Sequence, residues 1–363
     1  MAAAARTRTS PRPETQVHTR VDTAEIQLFI CRSPLQLLNC IEANEALDRR
    51  ARRSVLLAGH VSARDEAMMS RLLTHYDGFS QVSLFPLYPL KNQKAALRPL
   101  LGEAPAVARL IVGDTTQYLN RLLNRRLKPE SVVMVDDGAS TLSRAPLIAA
   151  RSLHRYRKNL APQAPVVSWI KHGLALDPRF LYKAKFFSMY DLSGFGLAER
   201  TIRNEFAWLS ALLAHKPVGA ATWFIGSNFA GDLLAHSEDY PKLIAQLAER
   251  EDMRTLEYIP HRKESDELLQ SLSHAHGFRL RRFENMLEIA LLDEIDTLPA
   301  RIVSFGSSAV NTLHRLIRRP TTLYRLPPEL ISAPRRAVVD GFFLEADTNG
   351  FEIRPLSRSS EQE

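Results

Sequence analysis

The sequence predicts an α/β protein built from two successive parallel-sheet units. Three observations carry that prediction. Short apolar runs alternate with longer amphipathic segments from about residue 26 onward, the pattern of strands joined by crossover helices. The alternation lapses between 150 and 215, where Pro162, Pro165 and Pro178 fall, and restarts after Pro217. The chain has 363 residues, more than one ordinary domain of about 100–200.

Residues 1–24 read as a tail with no apolar core of the kind a secretory leader needs. Residues 26–31 form the first strand. Pro34, suited to a first helical turn, opens a helix to about residue 50. A strand at 54–59, a helix at 64–76 and a strand at 81–86 follow. A helix is expected over 104–126, then an apolar strand at 132–135 closed by Asp136-Asp137-Gly138. After the break come a strand at 221–225, a helix at 239–251, a strand at 255–259, a short strand near 278–282, a helix at 284–295, a strand at 301–305 and a helix to about 317. The boundary falls near 215–220. Domains of 25–215 and 216–354 result, with a polar tail at 355–363.

The composition narrows the function. Lys and Arg number 48 against 40 Asp and Glu, a net charge of +8. Nucleic acid, an anionic membrane surface and an anionic substrate would each suit it. The basic clusters at 121–128 and 151–158 lack the aromatic interleaving of a single-strand platform, and no zinc-finger or RNP-type motif occurs. Solvated helix faces explain such clusters without nucleic acid. Cys31 and Cys40 are the two cysteines, so neither a disulfide framework nor a zinc site is indicated, and a cytoplasmic setting fits. No apolar run approaches the ~18 residues of a membrane span.

Ligands of open α/β sheets bind beyond the carboxyl ends of the strands. Polar groups gather there in this sequence, at Cys31-Arg32-Ser33, Asp136-Asp137-Gly138, Gly226-Ser227-Asn228, Pro260-His261-Arg262 and Gly306-Ser307-Ser308. Adjacent carboxylates repel, so one of Asp136 and Asp137 should have a raised pKa if partly buried. It would then serve as a general base, a metal ligand or a helix cap. His261 is suited to proton donation near neutral pH, or is simply a half-buried histidine. Gly306-Ser307-Ser308 would hold a phosphate at a helix N-terminus, or cap the helix. As a nucleophile elbow it is broken, because Val310 stands where the second glycine belongs.

In combination these motifs resemble the bacterial sialyltransferases, and most closely glycosyltransferase family 52, the lipooligosaccharide sialyltransferases. The similarity rests on Val-Asp136-Asp137-Gly138, Ile-Pro260-His261-Arg262 and Phe-Gly306-Ser307-Ser308-Ala309. It also rests on the opening Leu28-Phe29-Ile30-Cys31-Arg32-Ser33-Pro34-Leu35-Gln36, similar to the family's first strand and acceptor-side turn, and on Glu284, 23 residues before Ser307. The resemblance spans roughly 26–325. It implies a GT-B fold, two Rossmann-like domains facing a central cleft, with 25–215 on the acceptor side and 216–354 holding the nucleotide sugar. It further implies inverting, metal-independent transfer from a CMP-activated sialic acid, with no cofactor. His261 would then assist the departing phosphate, Ser307 and Ser308 would hold it, and Glu284 would bind ribose. Asp136 or Asp137 would activate the acceptor hydroxyl. Arg32, Ser33, Gly138, Gly226, Ser227, Asn228, Pro260, Gly306 and Arg262 would line the substrates.

Two departures stand out. Some members carry an acidic residue just after the Gly-Ser strand end, whereas this chain has Gly226-Ser227-Asn228-Phe229. Related enzymes also show His-Pro, whereas His261 is followed by Arg262. Another nonulosonic acid, Kdo or a polysialyl or capsule-type acceptor therefore stays open. Outside that class stand a Ser/His hydrolase and a non-catalytic basic protein that binds membranes. A lipooligosaccharide or other surface glycan is the expected acceptor, and peripheral contact with the anionic inner membrane the expected location. No nucleic-acid partner is expected, and a homodimer is left open.

Overall fold

The computed structural model describes residues 25–47, 53–103, 106–113, 118–138, 140–152 and 178–356. The N-terminal tail, residues 357–363 and most of the 151–158 cluster lie outside these. Among the described residues there are two all-parallel sheets. The first contains β1 (Ile26–Cys31), β2 (Arg53–His60), β3 (Gln81–Pro86), β4 (Val107–Val112), β5 (Ser131–Val135), β6 (Lys185–Ser188) and β7 (Thr201–Arg203), in the order β3-β2-β1-β4-β5-β6-β7. The second contains β8 (Thr222–Ile225), β9 (Leu256–Ile259), β10 (Arg279–Leu280), β11 (Arg301–Ser304), β12 (Thr321–Arg325) and β13 (Glu352–Pro355), in the order β10-β9-β8-β11-β12-β13. The strand order reverses at β1/β4 and at β8/β11, the positions where such sheets open a ligand crevice.

The α/β expectation holds, with three corrections. The segment 104–126, expected as one helix, contains β4 between α3 (Leu90–Glu103) and α4 (Tyr118–Leu127). β4 lies between β1 and β5 and is buried along most of its length. A central parallel strand shows a nearly continuous apolar run rather than alternation, so it merges with the apolar stripes of its flanking helices. The poorly patterned 150–215 region supplies β6 and β7, of only four and three residues. The C-terminal tail begins later than expected, since Pro355 ends β13 and Leu356 is buried.

Helix α1 (Pro34–Ala46) organises the first unit. Ser33 accepts the Gln36 N–H at 3.3 Å and so caps the helix, with Pro34 at its first position. The helix is buried nearly all round, polar residues included. Each of those residues therefore needs a partner. Gln36, Asn39 and Glu42, spaced three apart on one face, find theirs in distant segments. Gln36 Nε2 donates to Asp137 at 2.8 Å. Asn39 Nδ2 donates to the Asp136 carbonyl at 3.1 Å, and its Oδ1 accepts from Asn204 at 2.9 Å. The Glu42 carboxylate accepts the backbone N–H groups of Trp208 and Leu209 at 3.1 and 2.9 Å. Those two groups open α6 (Ala207–Leu213), the short helix that joins the two sheets. The polar stripe of α1 thus runs from a strand end to the interdomain connection.

The two units meet through the helices and loops that follow their strands. Arg64, on α2 (Ala63–Thr74) just past β2, donates to the Glu284 carbonyl beyond β10 at 2.8 Å. Asp293, ending α9 (Leu287–Asp293), receives Arg71 Nε at 2.5 Å and lies 3.0 Å from His75 Nε2. Thr312 of α10 (Ser308–Ile317) contacts Met189, just beyond β6, at 3.6 Å. The Arg64 and Thr312 contacts bring the carboxyl-end sides of the two sheets together, while the Asp293 contact joins the far ends of α2 and α9.

Candidate functional site

On the first side of the cleft, Arg32 and Ser33 follow β1, and Asp136-Asp137-Gly138 follow β5, with β4 between them. The two adjacent aspartates have different surroundings. Asp136 is buried, accepting Ser188 Oγ and the Met189 N–H, each at 2.7 Å. Burial pushes its carboxyl up to about 6, while the Ser188, Met189 and Thr141 hydrogen bonds and the Arg203 charge pull the other way. A raised pKa was expected from repulsion within the pair, but desolvation is its main cause. Asp136 ties β5 to β6.

Asp137 is half-buried. It accepts Gln36 Nε2 at 2.8 Å, Ser140 Oγ at 3.1 Å and Arg144 Nη1 at 3.2 Å. Of the pair, it is the member with side-chain access to solvent. Gly138 turns the chain with φ +60°, in the left-handed region that favours glycine. The Arg32 N–H donates to Gln36 Oε1 at 3.0 Å, so one glutamine amide joins the β1 and β5 ends.

On the second side, the strand order β9-β8-β11 sets three loops side by side. They carry His261, Gly226-Ser227-Asn228 and Gly306-Ser307-Ser308. At about 4.8 Å per strand, the outer two loops are about 10 Å apart at the backbone. That spacing does not make Ser307 and His261 a direct nucleophile–base pair, which needs about 2.6–3.2 Å.

His261 is half-buried, and its Nδ1 accepts the Lys263 N–H at 3.3 Å. Burial, joined by the charges of Arg262 and Lys263, pushes the imidazole below its usual value. Pro260 is partly buried and Arg262 exposed.

Ser307 occupies the N-cap position of α10 and is buried, but its hydroxyl makes no capping bond. The simple-cap reading of the sequence is not what the structure shows. Gly306 has φ +123°, and a Cβ there would meet Phe342 at 2.9 Å, so the turn before Ser307 requires glycine. Ser308 is the first helical residue. Glu284 is exposed between β10 and α9, its N–H bonded to Glu294 at 2.9 Å.

Sequence reading placed Gln36 in the opening motif without a role of its own and missed Glu264. Gln36 looks like an ordinary helix residue until the fold brings Asp137 to it. Glu264 lies three residues after His261, within a run of charges that resembles a solvated turn. Its carboxyl is pushed up to about 7 by burial, against hydrogen bonds from Tyr258, the His261 N–H and Tyr240.

No protein-family model and no curated protein matches the chain. Solved structures do. The α/β-galactoside α-2,3-sialyltransferase of the luminous marine bacterium Photobacterium phosphoreum aligns with a TM-score of 0.50 at 13% identity, over 92% of this chain and 98% of that one. The UDP-GlcNAc 2-epimerase of Methanocaldococcus jannaschii, in complex with UDP-GlcNAc and UDP, aligns at 0.48 and 13%, over 92% and 89%. The E. coli heptosyltransferase WaaC with ADP aligns at 0.43 and 15%, over 89% and 98%. At such identities the likeness concerns architecture. The alignment at a TM-score of 0.50, with the two parallel sheets, shows the two-domain GT-B fold.

Proposed function

We propose that this protein is an inverting, metal-independent glycosyltransferase of the family 52 type, moving sialic acid or a related nonulosonic acid from a CMP-sugar to a surface-glycan acceptor. The observation that carries the reading is Ser307. Its hydroxyl heads α10 without capping it, behind a glycine turn and two strand positions from His261. Exposed backbone N–H groups, the helix dipole and the two serine hydroxyls suit a phosphate.

Transfer from such a donor passes through an oxocarbenium-like state while a cytidylate leaves. The gain lies in stabilising the charge that builds on the departing phosphate, and preorganised donors supply it. Ser307 and Ser308 hold that phosphate, and the His261 imidazole protonates or hydrogen-bonds it. Burial and the charges of Arg262 and Lys263 favour the neutral form of the His261 imidazole. The incoming phosphate favours the protonated form. Glu284 takes the ribose hydroxyls. Asp137 deprotonates the acceptor hydroxyl, with Gln36 and Arg144 fixing its orientation. Gly226, Ser227 and Asn228 lie between the donor-side loops.

Among the described residues no helix is long and apolar enough to cross a membrane. The excess of Lys and Arg suits peripheral contact with an anionic inner membrane presenting a lipooligosaccharide acceptor. Mass spectrometry after incubation with CMP-sialic acid and a galactose-terminated glycan tests the reading. A sialylated product supports it. Transfer from UDP- or ADP-sugars, with none from any CMP-sugar, would refute it.

A further inference from the structure

The strand end Gly226-Ser227-Asn228 has no carboxylate of its own, yet one reaches it from the next loop. Glu264 precedes α8 (Asp266–His276). Its Oε2 accepts the His261 backbone N–H at 2.6 Å. The same oxygen packs so closely over Gly226 that any Cβ there would collide with it. Its Oε1 accepts the Tyr258 hydroxyl at 2.7 Å, and the Tyr240 hydroxyl lies 3.3 Å from the same oxygen, its single proton serving either that oxygen or the Tyr258 hydroxyl. The two tyrosine hydroxyls also hydrogen-bond each other, and both rings are fully buried.

We propose that Glu264 is the positioning residue of the His261 turn, holding the His261 N–H with one carboxylate oxygen and two buried phenols with the other. The inference rests on the reading of His261 as the group that assists the departing phosphate. Around His261 the turn offers only exposed Arg262 and Lys263, and the ring itself has a single long bond from the Lys263 N–H. The short charge-assisted bond to Glu264 is the stronger restraint. It is anchored in turn by Tyr258 on β9 and Tyr240 on α7 (Tyr240–Ala248), so the imidazole is referenced to the core of the second sheet. A catalytic group displaced by ~1 Å loses up to about 10²-fold in rate.

The geometry makes the restraint depend on charge. An ionised Glu264 grips the N–H more strongly than a neutral one. The groups acting on it are Tyr258, the His261 N–H, Tyr240 and Arg282, the last paired with Asp266. Glu264 changes charge near pH 7, so the grip on His261 tightens as pH rises through that value.

The test compares Glu264→Gln and His261→Ala in the full chain, by release of CMP from CMP-sialic acid with acceptor. The glutamine variant should keep its fold by circular dichroism and lose about tenfold in kcat, as for one weakened charge-assisted bond, with donor KM changed far less. Its kcat–pH profile should lack the parental inflection near pH 7. Tyr258→Phe removes one donor to Glu264 and should move that inflection upward, which covers the case of a glutamine variant that fails to fold. Parental kcat and pH profile in the folded variants, with His261→Ala impaired, would overturn the role of Glu264 alone. A fully active His261→Ala would overturn both this role and the reading on which it rests.

Discussion

Gln36 Nε2 donates to Asp137 Oδ1 at 2.8 Å across 101 residues of chain, while Gln36 Oε1 accepts the Arg32 N–H at 3.0 Å. One buried amide therefore fixes the carboxylate at the β5 end relative to the β1 end. The neighbouring Asp136 is spent on Ser188 and Met189. The two aspartates should separate cleanly by mutation. Asp137→Asn should lower kcat by 10²-fold or more, as for a lost general base, while its amide oxygen still accepts from Gln36 and keeps the change in Tm small. Asp136→Ala should instead destabilise the fold by about 1–3 kcal/mol, because buried donors are left unpaired. Paired kinetics and thermal melts would show this, and the reverse pattern would move the base to Asp136.

Arg71 and His75 of the first unit hold Asp293 of the second. Burial alone would raise the Asp293 carboxyl, but the Arg71 hydrogen bond and the His75 and Arg71 charges outweigh it and hold the group below its usual value. A depressed pKa means the stabilisation is full above the ordinary carboxylate range and is lost as pH falls through the folded-state value. Arg71 is 54% exposed, so solvent screens the pair, which adds little to stability and weakens with salt. Asp293→Ala should leave Tm nearly unchanged and raise the donor KM a few-fold. Small-angle scattering should record a larger radius of gyration for the variant at low salt. An unchanged radius and KM would remove the contact from cleft closure.

Glu42 makes the opposite prediction for pH. Burial raises its carboxyl to about 7, against the hydrogen bonds of the Leu209 and Trp208 N–H groups. The folded state therefore holds the proton more tightly than the unfolded chain. Its contribution is fully present below the unfolded value of about 4.5 and is lost as pH rises toward about 7. Glu42→Gln should flatten the fall in Tm between pH 5 and 7.5, an interval about the raised value. It should also lower Tm at acid pH, because an amide offers one acceptor where two N–H groups need partners. A slope identical to the parent would show that Glu42 does not titrate in this range.

The alternation of β1, β2 and β3 with their helices was legible because each strand is a compact apolar run bounded by turn residues. β4 was hidden because a central parallel strand carries no alternating face. β6 and β7 were hidden because four or three residues are too few to show a period. The strand-end motifs placed Asp137, His261 and Ser307 in the cleft. Sequence alone did not separate Asp137 from Asp136, since that distinction comes from β6 packing beside β5. Glu264, and the role of Gln36 within the opening motif, were invisible for the same reason. Their partners are brought to them by tertiary structure, and neither sits in a patterned context.

A thermal-shift comparison of CMP, CDP, UDP, GDP and ADP on the parent and on Ser307→Ala tests the central claim most directly. Binding to the folded state alone raises stability by about 2.7 kcal/mol at a hundredfold excess over Kd. CMP should raise the parental Tm selectively, and the shift should shrink in the serine variant. Stabilisation by UDP or ADP with no response to CMP, or a CMP shift indifferent to Ser307, would contradict it.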